Sequence, residues 1–343
     1  MPAALTNDPG TFMSFPPVET RSDVTPQTLA GVVAKLTTPV VFKNLVADWP
    51  IVAAAQTSPS ALIDYLKARD SGRPAVTFRQ AAGDGKFFYG DDQKSLNFAR
   101  ATIPLSLTLD RLAALSGNSE SEHIYIQSAP LHDYLPQVET ENTLPGIEAR
   151  PRIWIGNRST TQTHFDLYDN LACMVAGRKR FVLFPPDQTK NLYMGPFDTT
   201  IAGVPTSMAD IANPDFTTHP HFREALESAT VADLEPGDVL FIPYMWWHHV
   251  VSGDDLNAQI NYWWNPAEDM GQPMQVLIHA MLSLRDLPAQ QNAAWKAMFD
   301  HFVFHQSDPV ADHLKPEVRG LQGDLAPEQR TAIRRQLGKV LGD

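Results

Sequence analysis

Asn170-Leu171-Ala172-Cys173-Met174-Val175, a glycine at 177, then Arg180-Phe181-Val182-Leu183-Phe184 is the stretch on which the fold turns. Two short apolar runs, rich in residues that suit a pleated surface, flank one glycine; they read as the arms of a hairpin. Outward from it the same text repeats. Ile124 to Gln127, Ile153 to Ile155, Val239 to Ile242, His248 to Ser252 and Ala258 to Trp264 are further strand candidates. Glu235-Pro236-Gly237-Asp238 is a tight turn that delivers the strand at Val239. Many short strands separated by turns predict a mainly β fold, a β-sandwich or jelly-roll barrel.

The flanks read differently. Thr25-Pro26 opens a helical pattern through Leu29, Val32, Val33 and Leu36, and Ser58-Pro59 does so before Leu62, Ile63 and Leu66, each with a capping residue followed by proline. Pro39 to Phe42 reads as a buried strand between them. Tyr193 to His221 is a long connection punctuated by Gly, Pro and Asn, of the kind that borders a site entrance. After Pro266, Met274, Leu277, Ile278, Met281 and Leu282 recur at helical spacing, Trp295, Met298 and Phe299 extend the apolar content, and a last helix is expected from Pro327 to Leu341. The expected organisation is therefore a segment 1–24, a catalytic domain 25–265, and a helical region 266–343. Those last helices either cap the barrel or pair two chains into a homodimer.

Composition narrows the function. A single cysteine, Cys173, among 343 residues excludes an intrachain disulfide and a Cys-rich zinc site, which suits a reducing, cytoplasmic setting. Met1 to Pro17 lacks the basic-then-apolar pattern of a leader, and no run of 18 apolar residues is present, so no membrane span is expected. A net charge of −12 weighs against tight binding of nucleic acid, whose affinity comes from Lys and Arg neutralising phosphates.

Within this frame two fragments carry chemistry: His164-Phe165-Asp166 and Tyr244-Met245-Trp246-Trp247-His248-His249. In an extended strand, side chains at i and i+2 share a face, so His164 and Asp166 can offer an imidazole and a carboxylate to one point. A histidine from the second fragment completes two imidazoles and one carboxylate on one side of a metal. That set leaves positions open and favours non-haem Fe(II). A His-x-Asp triplet alone is weak, since a chain with eleven histidines holds one by chance about half the time.

The neighbouring text resolves this. Thr161-Gln162-Thr163-His164-Phe165-Asp166 with Asn170, Gly177 to Pro186, Pro236 to Pro243 leading into Trp246-Trp247-His248-His249, Asn213-Pro214-Asp215-Phe216, and Asn261-Tyr262-Trp263 together resemble the cupin-like branch of the Jumonji-C oxygenases. The likeness runs over roughly residues 25 to 300. It implies a double-stranded β-helix, with Fe(II) held by His164, Asp166 and His248 and with 2-oxoglutarate and O2 as cosubstrates. It also implies that Lys179 meets the distal carboxylate of 2-oxoglutarate and that Thr161, Tyr125, Asn170 and Asn261 surround the cosubstrate. Gln127 and Trp263 are implied on the substrate side. Strand period adds that Lys179 shares a face with Phe181 and Leu183, where a buried ammonium needs an anionic partner. His249 should point away from His248. On the last strand Asn257, Gln259, Asn261 and Trp263 share a face that either meets water or lines a wet pocket.

One departure concerns the substrate. The asparagine-hydroxylating members carry an Arg-Gln pair ahead of the Asn-Pro-Asp, whereas the corresponding residues here are Pro205 and Thr206. The resemblance thus implies hydroxylation of a C–H bond, with a protein or peptide side chain as the foremost substrate. N-methyl demethylation, or hydroxylation of a small molecule or tRNA base, is the same chemistry elsewhere. From other classes, a non-catalytic cupin-like binding protein and a Zn or Mn isomerase are the rivals. Lys179 with Thr161 and Tyr125 argues against an isomerase.

Overall fold

The computed structural model describes residues 15–81, 83–118, 122–201, 203–265, 273–304 and 310–341. Most of the N-terminal stretch read for a leader, and the start of the region after Pro266, lie outside these. Strand β1 (Glu19–Arg21) precedes α1 (Pro26–Val33), β2 (Val40–Phe42), α2 (Pro50–Thr57) and α3 (Pro59–Lys67). Strands β3 (Pro74–Gln80), β4 (Lys86–Phe87) and β5 (Ala99–Pro104) lead into α4 (Leu105–Leu115). Then come β6 (His123–Pro130), α5 (Leu131–Tyr134) and α6 (Pro136–Glu141). The jelly-roll strands follow: β7 (Arg152–Gly156), β8 (Ser159–His164), β9 (Asp169–Ala176) and β10 (Lys179–Phe184). After α7 (Phe222–Glu227) they continue as β11 (Thr230–Leu234), β12 (Val239–Ile242), β13 (Trp247–Ser252) and β14 (Asn257–Trp264).

These strands form two sheets. The larger has the order β1-β2-β12-β9-β14-β7-β6-β3-β5, the smaller β11-β10-β13-β8-β4. The alternation of side chains decides what lies between them. Ala172 and Met174 of β9 and Leu240 and Ile242 of β12 turn inward, where they meet Phe181, Leu183, Leu234 and Val250 of the smaller sheet. The intervening Leu171, Cys173 and Val175 turn outward into the cluster that holds Ile51 and Val52 of α2, which packs on β9, with Leu29, Leu62, Leu66 and Leu109 of α1, α3 and α4. Behind the smaller sheet a third layer forms, with Val182, Phe184 and Trp247 buried against Leu192, Ile211 and Phe222. Each fully buried Leu or Phe contributes about 1.5–3 kcal/mol, so these three layers supply most of the driving force.

Local chemistry sets the boundaries. The Ser58 hydroxyl accepts the Ala61 N–H at 3.0 Å at the start of α3, and Thr25 with Thr28 makes a reciprocal cap on α1. Gly177 turns the β9–β10 hairpin with φ +71°, where a Cβ would stand 2.7 Å from the Leu256 carbonyl oxygen. The Asp238 carboxylate ties the β11–β12 turn by accepting from the Glu235 and Asn44 N–H groups and pairing with Lys43.

Three features differ from expectation. Strands β3 and β5 with α4 enlarge the bigger sheet beyond the jelly roll, and β1, within the leading 1–24 segment, joins that sheet by pairing with β2. The strand expected to carry both His164 and Asp166 ends at His164. The 193–221 connection, expected at the entrance, has its apolar residues Ala209 and Ile211 buried behind the smaller sheet, and Gln162 donates there to Ser207 and Ala209 carbonyls.

The chain divides into two compact units, Met1–Pro266 and Ala267–Asp343. The second contains α8 (Pro273–Leu284), α9 (Ala289–Phe302) and α10 (Pro327–Leu341). Among the described residues no helix is long and apolar enough to cross a membrane.

Candidate metal centre

His164 closes β8 and His248 is the second residue of β13; the two strands are antiparallel and place these residues directly opposite each other. Their rings lie 4.2 Å apart between centroids. Asp166 follows two residues after His164, and Phe165 between them is buried edge-on against Trp247 at 4.7 Å, behind the sheet. That anchor turns His164 and Asp166 to the front although the strand has ended. One ligand atom from each of His164, Asp166 and His248 lies within 4.8 Å of the others, and His248 Nε2 is 3.7 Å from Asp166 Oδ2.

The outer hydrogen bonds prepare the donors. His164 Nδ1 donates to the Gln162 carbonyl at 2.9 Å and His248 Nδ1 to the Trp246 carbonyl at 3.1 Å. A carbonyl only accepts, so each Nδ1 carries the proton and each Nε2 keeps its lone pair for a cation. Burial, then the neighbouring His164, holds His248 well below the usual imidazole range. Burial raises the Asp166 carboxyl, opposed by His164 and by the Asn170 amide. The donor set fits a divalent first-row metal with open coordination positions.

A chain of buried amides stands behind Asp166. Gln259 donates to Asn261 at 2.6 Å, Asn261 to Asn170 at 2.8 Å, and Asn170 to Asp166 Oδ2 at 3.5 Å. Asn257, Gln259 and Asn261 are all buried, so the polar row of β14 faces the barrel interior. Trp263, next in that row, is stacked on Tyr168 at 5.7 Å and meets the edge of Trp154 at 5.2 Å. Its indole N–H has no hydrogen-bond partner among the described residues.

The remaining expected residues fall around the same interior. Lys179 is 3 % exposed on the inward face of β10 with Phe181 and Leu183. Among the described residues it has neither an ion-pair nor a hydrogen-bond partner, and burial alone lowers its ammonium to about 7. Tyr125 hydrogen-bonds Thr161, and burial raises its phenol, so it stays protonated. Its ring fits because Gly156 is the residue opposite; a Cβ there would stand 2.9 Å from it. Thr161 and His164 are three apart, yet both pair with inward residues of β13, Val250 and His248, because β8 bulges between them. Gln127 is half-buried on β6 and free of side-chain partners among the described residues.

His249 turns to the other face, opposite Val182, with Nδ1 3.4 Å from Thr163 Oγ1. Burial pushes it down to about 3, with Asp210 opposing and Lys86 adding to the fall. Sequence reading placed Gln259 on the polar row without a role and passed over Trp154, Tyr168 and Arg152. Period two on β7 is the signal that could have found Trp154 and Arg152, since Ile153 and Ile155 face the helices.

The cupin-like domain family model matches residues 26–270. The chain is 28% identical to HSPB1-associated protein 1 from Bos taurus over 75% of its own length and 54% of that protein's. It is 33% identical to tRNA wybutosine-synthesizing protein 5 from Homo sapiens, covering 66% of this chain and 78% of that protein. A shorter stretch, 32% of the chain, is 34% identical to lysine-specific demethylase JMJ31 from Arabidopsis thaliana, of which it covers 20%. The chain thus spans about half the length of the HSPB1-associated proteins it matches.

Proposed function

Because the chain belongs to the cupin-like family of Jumonji-C type, we propose that it is an Fe(II)- and 2-oxoglutarate-dependent oxygenase that hydroxylates a C–H bond of a protein or peptide side chain. The observation that carries this reading is the union, in one barrel, of a two-imidazole, one-carboxylate donor set with an unpaired buried ammonium. When bound, iron with 2-oxoglutarate and O2 supplies an oxidant able to replace an unactivated C–H by C–OH, releasing succinate and CO2.

The chain's own residues supply placement. His164, Asp166 and His248 would hold the metal from one side, and the amide chain through Asn170, Asn261 and Gln259 keeps the Asp166 carboxylate in place. Lys179 would receive the distal carboxylate of 2-oxoglutarate, which supplies the anion its burial requires. The Tyr125 and Thr161 hydroxyls sit on the same interior as hydrogen-bond partners for it. Apolar side chains of the two sheets exclude water from the space between these groups.

The names of two relatives point to a tRNA base and to a methylated lysine as other targets of this chemistry. The net charge of −12 weighs against the first. The test is anaerobic addition of Fe(II) and then 2-oxoglutarate to the purified chain. A weak visible charge-transfer band that is absent from the His248→Ala variant is expected. Iron binding without that band would instead fit a metal cupin of another kind, and no metal binding a binding protein.

A further inference from the structure

Most arginines of the first unit pair with a carboxylate, and Arg152 is one of the few that, among the described residues, do not. Arg69, Arg79, Arg158, Arg178 and Arg180 each hold a carboxylate within 3.1 Å on or near the surface. Arg152 instead starts β7 on the face that carries Trp154, opposite to Ile153 and Ile155, which pack against the helices. It therefore looks into the barrel. Its direct cross-strand neighbour on β14 is Asn261, the centre of the amide chain that ends on Asp166; facing side chains of such a pair start about 5 Å apart.

The guanidinium is held by one edge only. Arg152 Nε donates to Ser128 Oγ at 2.6 Å and to the Ser128 carbonyl at 3.2 Å. Ser128 occupies the bulge of β6, between Ile126 and Ala129, in a left-handed conformation with φ +53°. That conformation is costly for serine, and here it brings hydroxyl and carbonyl to the same nitrogen. The two terminal nitrogens have no partner among the described residues, and the side chain is half-buried rather than sealed. With Nε occupied, the open edge is the end-on fork, which matches the two oxygens of a carboxylate.

The other inward cation, Lys179, lies at the opposite end of the barrel. Lys179 is level with Ser252, at the far end of β13 from His248, whereas Arg152 is level with Asn261, one pair from the Trp263–Asn170 level beside Asp166. The two cations thus stand at different levels along the barrel strands, Arg152 at the level of the metal donors and Lys179 away from it.

Resting on the oxygenase reading, we propose that Arg152 is a specificity residue that binds an Asp or Glu side chain of a peptide substrate, next to the residue that is modified. One isolated fork in a chain of net charge −12 suits a single carboxylate and not a polyphosphate backbone. Gln127, in the same bulge, and the Trp154–Trp263–Tyr168 aromatic group line the remaining approach with hydrogen-bonding and flat apolar surface.

The test is capture of a randomised peptide library by the full chain loaded with Mn(II) and 2-oxoglutarate, followed by sequencing of the bound peptides. The wild type should enrich Asp and Glu at one fixed position, and Arg152→Lys should keep that preference. Arg152→Glu should replace it by Lys and Arg and weaken the acidic peptides about a hundredfold. Ser128→Ala, which removes the hydroxyl and leaves only the backbone carbonyl to hold Nε, should blunt the preference with an unchanged far-UV circular dichroism spectrum. No acidic enrichment by the wild type, or the same enrichment by Arg152→Glu, overturns the proposal. So does retention of single-stranded RNA in place of peptides. The iron–2-oxoglutarate band measured on the same preparations reports the oxygenase reading separately, because Arg152 is not among the groups that would hold either.

Discussion

Lys179 has the most demanding position of any single residue in the barrel. An ammonium in an apolar interior with no anion beside it is unfavourable, and burial lowers it from 10.5 to about 7. The unfolded chain therefore binds more protons than the ligand-free fold between about pH 7 and 10.5, so stability of the ligand-free protein should rise with pH across that window. Denaturant titrations of wild type and Lys179→Met check this: the variant should lose that part of the slope. A dianionic cosubstrate needs the protonated form, so above pH 7 its binding should take up one proton, visible by calorimetry in buffers of different ionisation enthalpy. Lys179→Ala should weaken 2-oxoglutarate by about two to three orders of magnitude, the equivalent of about 3–5 kcal/mol, while iron affinity changes little. The adjacent histidines separate by face. His248→Ala should abolish iron binding, whereas His249→Ala, which removes a group opposite Val182, should leave it nearly intact in a direct titration.

Elements determine how much of this could be read in advance. The hairpin β9–β10 and strand β12 announce themselves because each face of these strands is buried by a different layer, leaving near-continuous apolar runs. Strand β5 gives no such sign: it lies at the sheet edge and carries Arg100, Thr102 and Pro104, with most of its side chains reaching solvent. The bulges in β6 and β8 were equally hidden, since a strict period of two would have set Thr161 and His164 on opposite faces. The polar row of β14 was visible as a row, but only the packing of Ala258, Ile260 and Tyr262 against the helices shows which way it turns. That row predicts a measurable coupling. Asn261→Leu would leave the Asn170 carbonyl and the Gln259 amide without their partner. The expected effects are a stability loss of about 1–3 kcal/mol and a 10- to 100-fold weaker metal site, followed by thermal unfolding and iron titration.

For the whole molecule, assembly turns on the second unit. Its helices were legible from apolar spacing, and α10 spans the residues expected of it. Yet Leu277, Leu282, Trp295, Met298 and Phe302 are all exposed, Leu282 at 78 %. Five large exposed apolar side chains on two helices are more than isolated surface residues explain. We expect two chains to bury them against each other, so that light scattering at micromolar concentration gives twice 38.0 kDa. Leu277→Arg should shift the mass to that of one chain, and a wild-type monomer would end the idea.

The contact between Thr163 and His249 joins positions 86 residues apart in sequence, and the metal donors straddle the same gap. Neither half of the chain holds the complete set. A long loop must close before the site exists, which makes its assembly a late event in folding. On the oxygenase reading, iron retained per chain after saturation and desalting should rise with the correctly folded fraction, which near-UV circular dichroism of the same preparation checks.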